Sequence, residues 1–94
     1  MLEAKVEDYF VAQVEAHGGI QRKLKWIARR GGPDRFVKFL GAPVVLVELK
    51  RPTKTPRPEQ EREHARLRAA GVDVRVIDTK QAVDNFIRDM TGHL

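Results

Sequence analysis

The sequence predicts a small α/β domain, a mixed sheet with helices on its faces. Three observations predict it. Helix-periodic and strand-like segments follow one another in the order α-β-β-β-α-β-α. Two neighbouring strand-like segments flank the short Gly41-Ala42 turn, the mark of a hairpin. A helical segment then joins the third strand to the fourth, a crossover that favours a parallel pair.

The first segment, roughly Leu2 to His17, carries Leu2, Val6, Phe10 and Val14 at a spacing of four, with Tyr9 and Val11 or Ala12 alongside. This is an amphipathic helix, stopped by Gly18-Gly19. From Gln21 to Ala28, Leu24, Trp26 and Ala28 alternate with Lys23, Lys25 and Ile27, which predicts a half-buried strand. Arg29-Arg30-Gly31-Gly32-Pro33 is a loop by its Gly and Pro content. Arg35–Leu40 and Pro43–Lys50 are the two strands of the hairpin. Arg51–Pro58 holds three prolines and three basic residues and is expected as an exposed loop. Pro58 sits where a helix begins and Gly71 where it ends, with Glu59–Ala70 between them. Val72, Val74 and Val76 alternate with Asp73 and Arg75 as a last strand. Thr79 can cap a final helix bearing Val83, Phe86, Ile87 and Met90 on one face.

With 94 residues the chain is expected to form one domain, 1–94, with a thin core that dimerisation would support. Eighteen Lys and Arg against thirteen Asp and Glu give a net charge of +5 and a pI near 10.0. That balance suits a polyanion, most simply nucleic acid. There is no Cys, which excludes disulfides, thiolate catalysis and Cys-ligated zinc. There is no Ser either, which excludes a Ser-His-Asp triad. The apolar runs are too short to cross a bilayer and the N-terminal residues are charged, so an intracellular protein without membrane attachment is expected.

The chemistry concentrates in two places. Gly32-Pro33-Asp34 sets an acid just after a tight turn, and Glu48-Leu49-Lys50 ends the apolar run Pro43-Val44-Val45-Leu46-Val47. In a strand, successive side chains point to opposite faces, so Leu46, Glu48 and Lys50 share one face and Val45, Val47 and Leu49 the other. A carboxylate at the end of a core strand is costly unless it is paired or bound. Asp34 and Glu48 can approach across the hairpin, with the Leu49 backbone carbonyl as a further oxygen and Lys50 pointing at the same place. Two carboxylates and a cation so arranged suit a hard divalent metal and a phosphate. Arg29, Arg30, Arg35, Lys38, Arg51, Lys54 and Arg57 flank both acids and could neutralise phosphates. Trp26 reads as core or interface rather than as a stacking platform. His17, His64 and His93 lack metal-ligand spacing.

These residues resemble a known family. An N-terminal helix with Glu, then Gly32-Pro33-Asp34, then Val47-Glu48-Leu49-Lys50, then a helix opening Pro58-Glu59-Gln60, is similar to the VRR-NUC domain of the PD-(D/E)XK nuclease superfamily. Leu67-Arg68-Ala69-Ala70-Gly71-Val72-Asp73-Val74 is similar to the family's closing helix and strand, so the resemblance runs from Leu2 to Phe86. It implies a restriction-endonuclease-like core, α-β-β-β-α-β, with an additional C-terminal helix. It implies Asp34 and Glu48 as metal-binding acids, Lys50 as the motif lysine and Gln60 as a helix residue reaching the site. A further acid from the first helix is implied, with Glu7 or Glu3 as candidates and Glu7 the better fit to the spacing. The activity implied is that of a Mg²⁺- or Mn²⁺-dependent endodeoxyribonuclease. Standalone domains of this size resemble phage and prophage proteins of the bacterial cytoplasm and Holliday-junction resolvases, so a homodimer acting on four-way DNA junctions is expected. Flap, nicked or duplex DNA as substrate, and a non-catalytic DNA-binding module, are the alternatives.

Overall fold

The computed structural model describes residues 3–51 and 54–92. In chain order the elements are α1 (Glu3–Ala16), β1 (Ile20–Lys23), β2 (Arg35–Lys38), β3 (Val45–Leu49), α2 (Pro58–Ala69), β4 (Asp73–Ile77) and α3 (Lys80–Thr91). The four strands form one sheet in the order β1-β2-β3-β4. The β1–β2 and β2–β3 pairs are antiparallel and the β3–β4 pair is parallel. The expected α/β architecture and its mixed sheet are therefore present, with α2 as the crossover.

One face of the sheet carries the core. Val37, Val45, Val47, Leu49 and Ile77 are buried there against Val6, Phe10 and Val14 of α1 and Val83, Phe86 and Ile87 of α3. Phe86 is the joint between layers: its ring centroid lies 6.0 Å from that of Phe10 and 6.4 Å from that of Phe39, both tilted, as aromatic pairs prefer. Thr79 caps α3 by accepting the Ala82 N–H at 3.0 Å, and Gly92 closes it in a left-handed conformation with φ 80°.

The other face is covered by α2, and this helix is different in kind. Its buried residues are Gln60, Glu63 and His64, with no apolar residue among them. Leu67 is half-buried. α1 and α3 are placed by hydrophobic burial, whereas α2 brings polar side chains to the sheet.

The first strand is shorter than the alternation predicts. It ends at Lys23, and Ala28 has φ 59°, a left-handed conformation in which no strand continues. The segment 24–34 is instead a closed loop. Leu24 N–H donates to the Asp34 carbonyl at 2.9 Å, and Trp26 Nε1–H donates to the Pro33 carbonyl at 2.6 Å. Trp26 is half-buried and lies flat over Gly32, where a Cβ would overlap the indole. The tryptophan therefore latches the loop that delivers Asp34. Within the expected loop at 51–58, Pro52 and Thr53 lie outside the described residues, as do Leu2 and His93.

This latch makes Gly32→Ala informative. The added methyl must push the indole away, which should destabilise the domain by ~1–3 kcal/mol. The chain's single Trp should then emit at longer wavelength, and unchanged emission with unchanged stability would show the latch to be unimportant.

Candidate active site

Asp34 stands immediately before β2, and its N–H donates to the Val47 carbonyl at 3.0 Å. Its Oδ1 accepts the Leu49 N–H at 3.2 Å, so the carboxylate is pinned beside the end of β3. Glu48 lies on β3 between the core residues Val47 and Leu49, but its side chain points to the α2 face, as strand alternation requires. It is 5% exposed. Gln60 Nε2 donates to Glu48 Oε2 at 3.2 Å, and Lys50 Nζ lies 3.7 Å from the same oxygen. Asp34, Glu48, Lys50, the Leu49 peptide and Gln60 thus come together.

The electrostatics of the pair are those of two acids held against their preference. Burial, then the nearby Asp34 charge, push the Glu48 carboxyl up to about 7, while Lys50 and Arg57 pull it down. Burial also raises Asp34, against the Leu49 N–H and Arg35, which lower it. Glu48 Oε1 is buried with no hydrogen-bond partner. A cation beside these two acids would satisfy that oxygen and relieve their repulsion. Two carboxylates with an adjacent peptide also suit Mg²⁺, which takes few protein oxygens and keeps water and phosphate for the rest. Among the described residues there is no group of three or more His, Cys, Asp or Glu placed to hold a metal ion.

Glu7 occupies a different place. Its carboxylate is paired with the Arg35 guanidinium, and Arg35 Nη1 also donates to Gln21 Oε1 at 2.9 Å. The Glu7 charge still raises Asp34, so it lies within electrostatic reach of the site. The side chain of Glu3 lies outside the described residues. Arg35 corrects an expectation. It is 8% exposed, on the α1 side of the sheet beside Val37, and unavailable to DNA. Alternation sends it inward because Asp34, one residue earlier, faces the site.

The remaining expected DNA contacts divide into two groups. Arg51, Lys54 and Arg57 join Lys50 and Thr55 around an open groove of about 290 Å³. Arg29 and Arg30 lie on the edge of a separate depression. Lys38 is turned back on its own strand, donating to the Phe39 carbonyl at 2.6 Å.

The structure adds His64, which the spacing rules pass over. It is 1% exposed, and its Nε2 lies 3.8 Å from Glu48 Oε1, too far for a hydrogen bond. Burial, with Arg68 and Lys50 nearby, lowers its pKa, so it favours the neutral imidazole. Its position one turn after Gln60 on the same helix face is the sequence signal that points to it.

Comparison with known proteins bears on the fold and the family. No family model matches the chain. Over 78 residues it is 42% identical to "Putative nuclease p44" of Acyrthosiphon pisum secondary endosymbiont phage 1, a match that spans 83% of this chain and 84% of that protein. A solved structure described as a VRR_NUC domain superposes with a TM-score of 0.84 at 37% identity, covering 92% of this chain and 94% of the other. The fold is that of a PD-(D/E)XK-like nuclease domain. The chain belongs to the VRR-NUC family, of the phage type.

The raised Glu48 carboxyl has a consequence for the metal-free protein. An acid whose folded pKa of about 7 exceeds its unfolded value of 4.5 stabilises the fold while protonated; that contribution is full below 4.5 and is lost as pH rises from there through 7. Glu48→Gln mimics the protonated form. Its melting temperature should match wild type near pH 4, below the unfolded value, and exceed it by several degrees near pH 8, where 1 kcal/mol is worth roughly 4–8 °C. Equal melting temperatures at both pH values would show that Glu48 is not held against its charge.

Proposed function

We propose that this VRR-NUC nuclease is a Mg²⁺- or Mn²⁺-dependent endodeoxyribonuclease formed by one domain, and that its substrate is the four-way DNA junction. The observation that carries this reading is the desolvated Asp34–Glu48 pair, faced by Lys50 and Gln60 and bordered by a groove of cations.

Asp34 and Glu48, with the Leu49 carbonyl, are the residues that would hold the cation, and Glu7, paired with Arg35, is the further acid within electrostatic reach. A bound divalent ion would polarise the phosphodiester and lower the pKa of an attacking water. Lys50 Nζ lies beside the Glu48 carboxylate, where it can orient that water or offset charge growing on the phosphate. Gln60 fixes the Glu48 oxygen that Lys50 approaches. Arg51, Lys54 and Arg57 can take phosphates next to the scissile bond, reading backbone and shape rather than base edges. Cutting both strands of a junction requires two such sites related by a two-fold axis, which a symmetric homodimer supplies. The phage origin of the relative and the resemblance to resolvases favour a junction over flap or plain duplex DNA.

The test is cleavage of labelled junction, flap and duplex DNA with Mg²⁺, Mn²⁺ or EDTA. The expected result is paired symmetric cuts in the junction, none in EDTA, and a loss of about 10²–10³ in rate for Lys50→Ala. Cleavage in EDTA would overturn the metal reading, and full activity of Lys50→Ala the site. Equal cutting of duplex would overturn the junction reading. Sedimentation as a monomer at all concentrations would overturn the two-site arrangement.

A further inference from the structure

The second basic group lines a different depression from the groove beside Lys50. Arg29 and Arg30 come from the loop before Asp34, and Arg62 and Arg66 from α2. With Ala28 and Glu59 they line an open depression of about 230 Å³. We infer that this depression is a second phosphate-binding site, which grips a nucleic-acid strand apart from the scissile bond. The inference rests on the nuclease reading and extends it to residues Arg62 and Arg66.

Three features carry it. First, two of the guanidiniums are fixed in place. Arg29 Nε and Nη2 donate to Glu63 Oε1 at 3.3 and 3.0 Å, and Arg66 Nε and Nη2 donate to the same oxygen at 3.0 and 2.8 Å. Glu63 is buried, whereas the Arg29 and Arg66 side chains are 51% and 57% exposed. A buried carboxylate therefore holds two half-exposed cations side by side, already ordered before a ligand arrives.

Second, the four cations outnumber the acids that answer them. Arg62 and Arg66 are like charges one helical turn apart, a destabilising pair on an isolated helix. Arg30 and Arg62 are exposed and have no hydrogen-bond or ion-pair partner among the described residues. Glu59, the other acid at the rim, is paired with Arg57 at 3.2 Å.

Third, the loop is held in a strained form to present these residues. Ala28, just before Arg29 and Arg30, has φ 59°, which costs a non-glycine residue free energy. On the far side of the arginines, Gly31 lies so close to the Glu59 carbonyl that a Cβ would be 2.5 Å from it. The loop is thus seated directly on the first turn of α2. Guanidinium forks match phosphate oxygens in pairs, and a row of them suits a phosphodiester backbone.

The experiment is fluorescence anisotropy in EDTA, where binding is separated from cleavage. The probe is a labelled duplex of about 20 base pairs, at ~3.4 Å rise each, which outreaches the domain's 34 Å length. Affinity is measured against NaCl for wild type, Arg62→Gln, the Arg62→Gln/Arg66→Gln double variant and the corresponding double Lys variant. Removing one cation that meets a phosphate should lower the salt slope by about 1. The expected result is a slope lower by about 1 for Arg62→Gln and about 2 for the double Gln variant, with the Lys variant near wild type. Arg62→Gln touches no ion pair, so it reads out even if the double variant does not fold. Wild-type binding with unchanged slopes in the Gln variants overturns this site alone. Polyglutamate competing as well as DNA of equal charge overturns the nucleic-acid assignment. Absence of salt-dependent binding by wild type to this duplex overturns this inference, and absence of binding to a labelled four-way junction as well overturns the proposed junction reading beneath it.

Discussion

The structure depends on β3 serving two layers at once. Five residues must pair with strands on both sides, bury three apolar side chains against α1 and α3, and carry a carboxylate on the opposite face. Strand alternation is what makes this possible. Val45, Val47 and Leu49 are interchangeable in kind because their face is core, but Glu48 is not, because its face meets a helix whose buried residues are all polar. The domain accepts a carboxyl shifted to about 7 because the rest of β3 holds the strand rigidly enough to keep the acid where it is. A surface location would cost less and would let the carboxylate relax into solvent.

The same logic sorts the arginines. Arg35 is buried and answered by Glu7, so it belongs to the joint between α1 and the sheet. Arg29 and Arg66 are also answered by a carboxylate, but there the acid is buried and the arginines are exposed. In the first case a cation is neutralised inside the fold. In the second, an anion inside the fold fixes cations on its surface. Counting ion pairs would treat the two alike, and burial separates them. Exposed pairs of the second kind contribute little to stability, so the ordering of the guanidiniums is their more substantial effect.

Most of the architecture is legible in the sequence because it is written in periodicity. The apolar spacing of α1, the alternation of β3 and the Pro58 and Gly71 punctuation of α2 each appear where the pattern places them. The juxtaposition of Asp34 with Glu48 and Lys50 is also legible, since adjacent strands bring it about. What pattern does not show is where alternation is broken by a backbone conformation. Trp26 and Ala28 continue the strand pattern on paper, but Ala28 turns left-handed and the indole caps a loop instead. Nor does local charge tell which side a residue takes. Arg35 sits among basic neighbours, and its burial follows only once Asp34 is known to face the other way. His64 is similar: its one-turn spacing from Gln60 is visible, but its meeting with Glu48 depends on α2 crossing the sheet at that point.

Gln60 shows how the helix, the Pro-rich loop and the acid are made one unit. Its Oε1 accepts the Arg57 N–H at 2.9 Å, which is half of a capping box at the start of α2. Its Nε2 donates to Glu48. Neither end can be exchanged: a flipped amide would set its oxygen against the carboxylate and its N–H₂ against the Arg57 N–H. The side chain is therefore oriented by the helix terminus, and Glu48 is oriented by the side chain. Arg57, whose N–H fixes that terminus, also lines the groove beside Lys50. Two hydrogen bonds thus tie the start of α2, where Arg57 lines the groove, to the acid of β3. Glutamate at position 60 could still cap the helix but would oppose Glu48, and asparagine would fall short, so the site specifies both the chemistry and the length of this residue.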